Sequence, residues 1–321
     1  MSHLQLVRLE IEGFRRFRER FVLDLRSPAG APLDYLVLAG PNGCGKTTIL
    51  EAILLALGRE DLIVRDLDAK DRVASPRVQL GPHTRLSAVV LDTATGETFP
   101  WSRGSTMGEH DDPGEITPLQ RPDVEIISAR RLPALVGPVQ DDTRGRPPAD
   151  TESNRLWLFK DRLRKQQGRR VPGYKGPEPR DVAWLQKLNG FWREFRDDGT
   201  SFVMTVVNPD DLDTTQWDLF LYRGDDRICA IDAMSSGEQE ILAMAVPFIT
   251  APFDGLLLID EPEQHLHPQW QGRVLRALRK LVPTSQVIVA THADDPWDDA
   301  MSWERRLVDA DDPVGIVYDP P

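Results

Sequence analysis

The chain of 321 residues carries 51 acidic and 39 basic side chains, a net charge of −12, with 40% hydrophobic and 28% charged residues. That balance describes a globular protein able to bury a large core, as one elaborated domain or two smaller ones, and excludes a surface coated throughout with positive charge. No apolar run approaches the ~20 residues of a membrane span, the start Met1-Ser2-His3-Leu4-Gln5-Leu6-Val7 has no signal-peptide pattern, and two cysteines, Cys44 and Cys229, make no disulfide framework. A cytoplasmic location without membrane contact is therefore expected.

Residues 4–11 and 21–25 alternate apolar and polar side chains and read as paired strands, joined by the turn Gly13-Phe14-Arg15-Arg16-Phe17-Arg18. This turn is either a solvated hairpin tip anchored by two aromatics or an element near the nucleotide phosphates or DNA. Tyr35 to Ala39 reads as a short buried strand, Thr48 to Leu57 as a helix closed by Gly58. Between them lies Gly40-Pro41-Asn42-Gly43-Cys44-Gly45-Lys46-Thr47, which fits G-x-x-x-x-G-K-[ST] at every fixed position. Glycines let successive N–H groups turn inward on a polyphosphate, and the helix N-terminus adds partial positive charge. Asn42, Gly43, Cys44, Gly45, Lys46, Thr47 and Thr48 are thus the candidate nucleotide-binding residues, with Lys46 reaching the outer phosphates and Thr47 binding Mg2+. Cys44 occupies a variable position of this pattern, which favours an inert thiol over a redox-sensitive one.

Residues 59–77 read as charged and irregular, Arg85 to Asp92 and Glu97 to Trp101 as a hairpin, residues 102–122 as a loop, and Val124 to Ala129 as another strand. Two helical stretches, 152–167 and 181–196, then flank a Gly/Pro-rich segment, with Trp157, Phe159, Trp184, Phe191, Trp192 and Phe195 as apolar anchors. Between 155 and 180 nine basic residues stand against two acids, whereas residues 292–321 hold nine acids against two arginines. The basic run is a candidate contact for DNA or other phosphate backbones or for an acidic partner, or the solvated face of a mobile loop. Strands return at 202–207 and 217–222.

Three further motifs carry chemistry. Met234-Ser235-Ser236-Gly237-Glu238-Gln239-Glu240 opens the helix Ile241 to Val246, which Pro247 is expected to kink or end; small residues at a helix start leave N–H groups for an anion. Leu256 to Ile259 form a buried strand ending in Asp260 and Glu261. There Asp260 can hold Mg2+, and Glu261, differently directed, can polarise a water. Gln286 to Thr291 form a strand with His292 just beyond it, placed to meet a terminal phosphate. His265 and His267 form an H-x-H pair beside acids, but with no cysteine or third histidine nearby in sequence a zinc site is disfavoured. Pro268 starts a further helix, Gln269 to Leu281.

In this order the motifs resemble the ATPase head of the ABC class, particularly the branch of RecF-like, SMC-like and OLD-like ATPases. Asp260-Glu261-Pro262-Glu263-Gln264-His265-Leu266-His267-Pro268 is similar to the extended Walker B segment of the OLD-like branch, and Met234 to Gln239 to its signature. The resemblance covers about 1–58 and 230–292.

It implies an α/β P-loop fold: a mixed sheet core, an antiparallel N-terminal β-subdomain and an inserted helical lobe. The expected organisation is 1–150 and 199–321 as the two halves of the head and 151–198 as the lobe. It further implies a head-to-tail homodimer with ATP between the phosphate loop of one copy and Ser235, Ser236, Gly237 and Glu238 of the other. In it Thr47 and Asp260 would hold Mg2+, Glu261 would activate water and His292 would sense the outer phosphate. Gln79 is a weak candidate for the Q-loop glutamine. The 190-residue separation of Lys46 and Ser236 argues against a transporter subunit. The 29 residues after His292 leave no room for a nuclease domain, so a separate effector protein, as in anti-phage defence systems, is expected. A DNA-clamping repair ATPase and an ATP-gated scaffold with negligible turnover are the alternatives.

Overall fold

The computed structural model describes residues 4–64, 79–104, 122–129, 139–140, 154–167, 181–208, 216–308 and 316–318. The chain divides into two compact units. The first comprises Met1–Ala129, Phe253–Gln264 and Pro283–Pro321, the second Arg130–Pro252 and His265–Val282. Arg169, Arg170, Lys175 and Arg180 of the basic run lie outside the described residues.

The first unit holds two sheets. In the antiparallel sheet, β1 (Leu4–Glu12), β2 (Phe21–Asp24), β4 (Arg85–Asp92) and β5 (Thr98–Gly104) stand in the order β2-β1-β4-β5. Leu9, Ile11, Phe21, Leu23, Leu86, Ala88 and Trp101 turn to its buried face, as the period-2 pattern requires. The second sheet has β3 (Tyr35–Ala39), β6 (Val124–Ile127), β11 (Leu256–Asp260), β12 (Gln286–Thr291), β13 (Arg305–Val308) and β14 (Ile316–Tyr318), in the order β14-β13-β3-β12-β11-β6. From β13 to β6 every pairing is parallel. Accordingly β3, β11 and β12 are nearly continuous apolar runs, as strands covered on both faces must be. Helix α1 (Lys46–Ala56) packs on this sheet and buries Ile49, Leu50, Ile53, Leu54 and Leu55, each contributing roughly 1.5–3 kcal/mol. A short helix α2 (Glu60–Val64) follows where the sequence reads as irregular.

Buried polar contacts join the two sheets. The pairing of β1 with β4 slips between Leu6 and Arg8. There the buried Gln286 side chain donates to the carbonyls of Leu6 and Leu33 and accepts from the Leu6 N–H at 2.8 Å. Both main-chain groups of Leu6, at the edge of the bulge, are thus paired. At the other flank, a Cβ on Gly255 would lie 2.1 Å from the Asp123 carbonyl, so only glycine admits this approach of β11 to β6.

The second unit holds β7 (Val139–Gln140), β8 (Thr200–Val206), β9 (Gln216–Arg223) and β10 (Asp226–Ala230) with helices α3 (Arg155–Gln167), α4 (Asp181–Trp192), α5 (Ser236–Thr250) and α6 (Pro268–Leu281). Strand β9 is central, pairing antiparallel with β7, β8 and β10. Trp192 is fully buried, its indole N–H donating to Thr200 Oγ1 at 3.0 Å, and Phe202 stands edge-on to it. Asn189 pins α4 to β8 by pairing with both main-chain groups of Phe202. Phe159, Phe191 and Phe195 are buried, as expected of anchors. Helix α5 runs through Pro247 to Thr250 instead of ending there. Burial of nearly its whole length offsets the lost N–H bond, and Thr250 Oγ1 donates back to the Pro247 carbonyl. A last short helix, α7 (Asp294–Asp298), lies in the first unit.

The described part of the basic run is not a cationic face. Lys160 is fully buried, 2.9 Å from Asp218 and 2.7 Å from Asp232. Arg155 and Arg164 are also buried, Arg164 against Asp161 at 3.1 Å. The remaining two described cations, Arg162 and Lys165, are exposed, and Lys165 is paired with Asp161. Asp218 and Asp232, distant in sequence, neutralise Lys160, and Asp161 of the same helix pairs with Arg164 and Lys165, so the described residues 155–165 do not present the expected run of exposed cations.

Candidate functional site

The carboxyl ends of β3, β11 and β12 lie side by side in the first unit, since Ala39 is in register with Thr291 and Ala290 with Asp260. Ligand sites of open parallel sheets form at this end. The phosphate loop leaves β3 with φ of 150° at Gly40, 79° at Gly43 and 110° at Gly45. A Cβ on Gly45 would lie 2.7 Å from Arg16 and 3.0 Å from Phe17, so that glycine also makes room for the β1–β2 turn. The turn itself is docked there: Arg16 donates to the Gly43 carbonyl at 2.5 Å, Arg15 pairs with Glu51 of α1, and Phe14 and Phe17 are buried. Of the two readings of this turn, the structure favours the one beside the phosphate loop.

Lys46 begins α1 and is 4% exposed, its ammonium folded onto the carbonyls of Gly40 at 2.7 Å and Pro41 at 3.1 Å. Asn42 and Gly43 are exposed, and Thr48 is buried. Cys44 is buried, which removes its thiol from solvent oxidants. Thr47 Oγ1 donates to Asp260 at 2.9 Å. Burial raises the Asp260 carboxyl to about 6; Glu261 and Glu51 nearby push the same way, and the Thr47 hydrogen bond and Lys46 oppose them. A hydroxyl and a buried carboxylate destabilised as an anion form a hard-oxygen donor pair suited to Mg2+.

Glu261 stands one residue past β11 in the left-handed region, φ 47°, its N–H donating to the Ala290 carbonyl at 2.8 Å and its carboxylate accepting from Gln264 Nε2. Such backbone costs of order 1–3 kcal/mol for a non-glycine residue, and here it aims the second acid away from the first. His292 follows β12 with its side chain 44% exposed, its Nδ1 3.9 Å from Glu261 and 3.0 Å from Glu263. Glu263 was not singled out by the sequence reading; the signal available was a fourth residue in an acid-rich turn after a buried strand. Gln79 is exposed and outside any strand or helix.

In the second unit, Ser235 is the N-cap of α5 and forms a capping box with Glu238. Ser235 Oγ lies 2.9 Å from Glu238 Oε2, and Arg196 donates to the other oxygen of Glu238 at 2.5 Å. Ser235 and Ser236 are exposed, whereas Gly237 is buried and a Cβ on it would lie 2.9 Å from the His265 carbonyl. His267 caps α6, accepting from the Gln269 N–H at 3.3 Å, and among the described residues no group of three or more His, Cys, Asp or Glu could hold a metal ion. No helix among them is long and apolar enough to cross a membrane.

Residues 185–294 match the family described as "AAA domain, putative AbiEii toxin, Type IV TA system", and residues 8–81 match another described as "AAA domain". The chain is 44% identical over 41 residues, 13% of its length and 10% of the relative's, to the Septu protein PtuA of Bacillus thuringiensis. It is 38% identical over 72 residues, 19% of this chain and 13% of the other, to the retron Ec83 probable ATPase of Escherichia coli. It is 37% identical over 67 residues, 21% of this chain and 12% of the other, to the inner membrane ABC transporter ATP-binding protein YddA of Escherichia coli K12. The matched part is thus about a tenth of the length of these relatives. Over 98% of this chain and 96% of the other, with a TM-score of 0.55 and 18% identity, the fold matches the Smc head domain with an extended coiled coil, bound to the C-terminal domain of ScpA, from Pyrococcus furiosus. Two separate stretches thus match AAA-domain models, and over nearly its whole length the chain has the fold of the Smc head domain, with the phosphate loop and paired acids at the ends of adjacent parallel strands.

Proposed function

We propose that this protein binds ATP with Mg2+ and hydrolyses it between two copies of the chain. The phosphate loop of one copy would face Ser235, Ser236 and Gly237 of the other. The observation that carries the reading is the Thr47–Asp260 pair with Glu261 beside it, oxygens that would hold a cation and a carboxylate that would accept a proton at one strand end. Mg2+, when bound, supplies charge neutralisation on the phosphates. The loop N–H groups orient the phosphate chain and Lys46 exchanges its two carbonyl partners for phosphate oxygens. Glu261 takes the proton of the attacking water, and His292 contacts the outer phosphate.

The curated relatives named as Septu and retron proteins support a place in anti-phage defence, in which nucleotide state controls a separate effector protein, a nuclease in our reading. A repair ATPase that clamps DNA through the basic run 155–180 draws little support from its described part, 155–165, where three of the five cations are buried. Light scattering of wild type and Glu261→Gln, with and without ATP and Mg2+, tests the proposal alongside phosphate release. ATP-dependent association of the variant with turnover in the wild type supports it. Binding of ATP with neither association nor turnover, in both proteins, refutes hydrolysis between two copies of this chain alone. Loss of phage protection on deletion, together with a co-purifying partner, would support the defence role; protection unchanged would refute it.

A further inference from the structure

Two donors and an imidazole nitrogen converge on one oxygen of a carboxylate that the ATPase chemistry above does not use. Glu263 Oε1 accepts from Thr291 Oγ1 at 2.8 Å and from the His292 N–H at 3.0 Å, and it lies 3.0 Å from His292 Nδ1. The carboxylate is 3% exposed, whereas the imidazole is 44% exposed. Glu263 reaches this place because the chain turns back after β11: Glu261 takes the left-handed conformation, Pro262 follows, and the Gln264 N–H closes on the Glu261 carbonyl at 3.1 Å. Glu261, the acid assigned to water, is the more distant from the ring, at 3.9 Å.

We infer that Glu263 is a positioning residue for His292, holding both its backbone and its ring, so that Nδ1 carries a proton directed at Glu263 and Nε2 is the nitrogen presented to the nucleotide. The physical basis is general: a carboxylate accepting from one imidazole nitrogen fixes the tautomer and ring plane and so decides what the other nitrogen can do. A histidine on an exposed strand end would otherwise sample several rotamers, and ordering it during each turnover would cost free energy in the transition state. The buried acid removes that cost beforehand. Thr291 completes the clamp, since its Oγ1 donates to Glu263 and accepts from the Ala293 N–H at 3.0 Å.

The inference rests on the proposed role of His292, and the test separates the two. Glu263→Gln keeps the size and an acceptor oxygen but removes the charge. Its kcat for ATP hydrolysis is expected to fall about 10- to 100-fold, a typical loss for such an outer partner, while KM for ATP and the unfolding midpoint stay near wild type. The double variant Glu263→Gln/His292→Ala is expected to be no slower than His292→Ala, because the acid acts through the ring. Nitrogen-15 spectra of the imidazole in nucleotide-free protein should show the Nδ1–H form in wild type and its loss in Glu263→Gln. An unchanged ring spectrum, or kinetic losses that multiply in the double variant, would overturn the inference. Wild-type turnover in His292→Ala, with the ring spectrum still dependent on Glu263, would overturn the role of His292 but leave the positioning intact. In a preparation without turnover, the ring spectrum decides alone.

Discussion

Replacing Lys160 by methionine tests whether the lysine is a structural ion rather than a phosphate contact. Its ammonium is fully buried between Asp218 at 2.9 Å and Asp232 at 2.7 Å, whose side chains are 4% and 19% exposed. At an effective dielectric of about 20 each contact is worth roughly 6 kcal/mol gross, most of which the desolvation of the three ions cancels. Removing the lysine alone is different, because the hydrogen-bonded positive charge disappears while both carboxylates stay inside. The expected cost is about 3–5 kcal/mol, and at ~2–4 °C per kcal/mol the unfolding midpoint should drop by roughly 10 °C. Chemical denaturation followed by tryptophan fluorescence measures it, since Trp192 lies in the same unit. Neutralising all three positions, Lys160→Met with Asp218→Asn and Asp232→Asn, should recover much of the loss. A single variant within 1 kcal/mol of wild type would refute the reasoning, and a salt-dependent loss of DNA affinity without loss of stability would return Lys160 to the surface.

Three further outcomes follow from the site. Because the Asp260 carboxyl is raised from 3.8 to about 6, the folded protein holds a proton that the unfolded chain has released across that window. This group's contribution therefore grows more destabilising as pH rises from 4 through 6, by about 3 kcal/mol for a shift of about two units. Without nucleotide or Mg2+, Asp260→Asn should unfold at higher denaturant than wild type above pH 6, and the difference should vanish near pH 4. Mg2+ binding by the wild type, read by calorimetry, should weaken as pH falls through 6. Gly237→Ala would set a Cβ 2.9 Å from the His265 carbonyl, main-chain atoms that cannot step aside as a side chain can. It should reduce ATP-dependent association at least tenfold while ATP binding to the monomer holds, and unchanged light scattering would count against the signature's role.

Much of the site was legible before any fold was known because its elements are local. A buried strand, glycines at positions that require positive φ and a helix start are set by residues within ten positions of each other. So the loop at 40–47, the acids ending β11 and the histidine after β12 could be found by pattern alone. Sequence likewise pointed to α6 through Pro268 at its first turn, and the structure adds His267 as its cap. It left open whether Pro247 ends its helix; the helix continues, because the cost of the proline is outweighed by burial that only neighbours can supply. The charge count between 155 and 180 was true of the composition, but of the five cations among the described residues three, Arg155, Lys160 and Arg164, are buried. Whether a lysine faces water or two aspartates is decided by Asp218 and Asp232, 58 and 72 residues further along. Glu263 is of the same kind: its neighbours in sequence say it belongs to an acidic turn, but its partners lie on the adjacent parallel strand. Local backbone chemistry fixed what the chain could bind. Which charges are spent inside the protein, and which acid holds the histidine, depended on strand order, because parallel neighbours bring together residues that no spacing in the sequence relates.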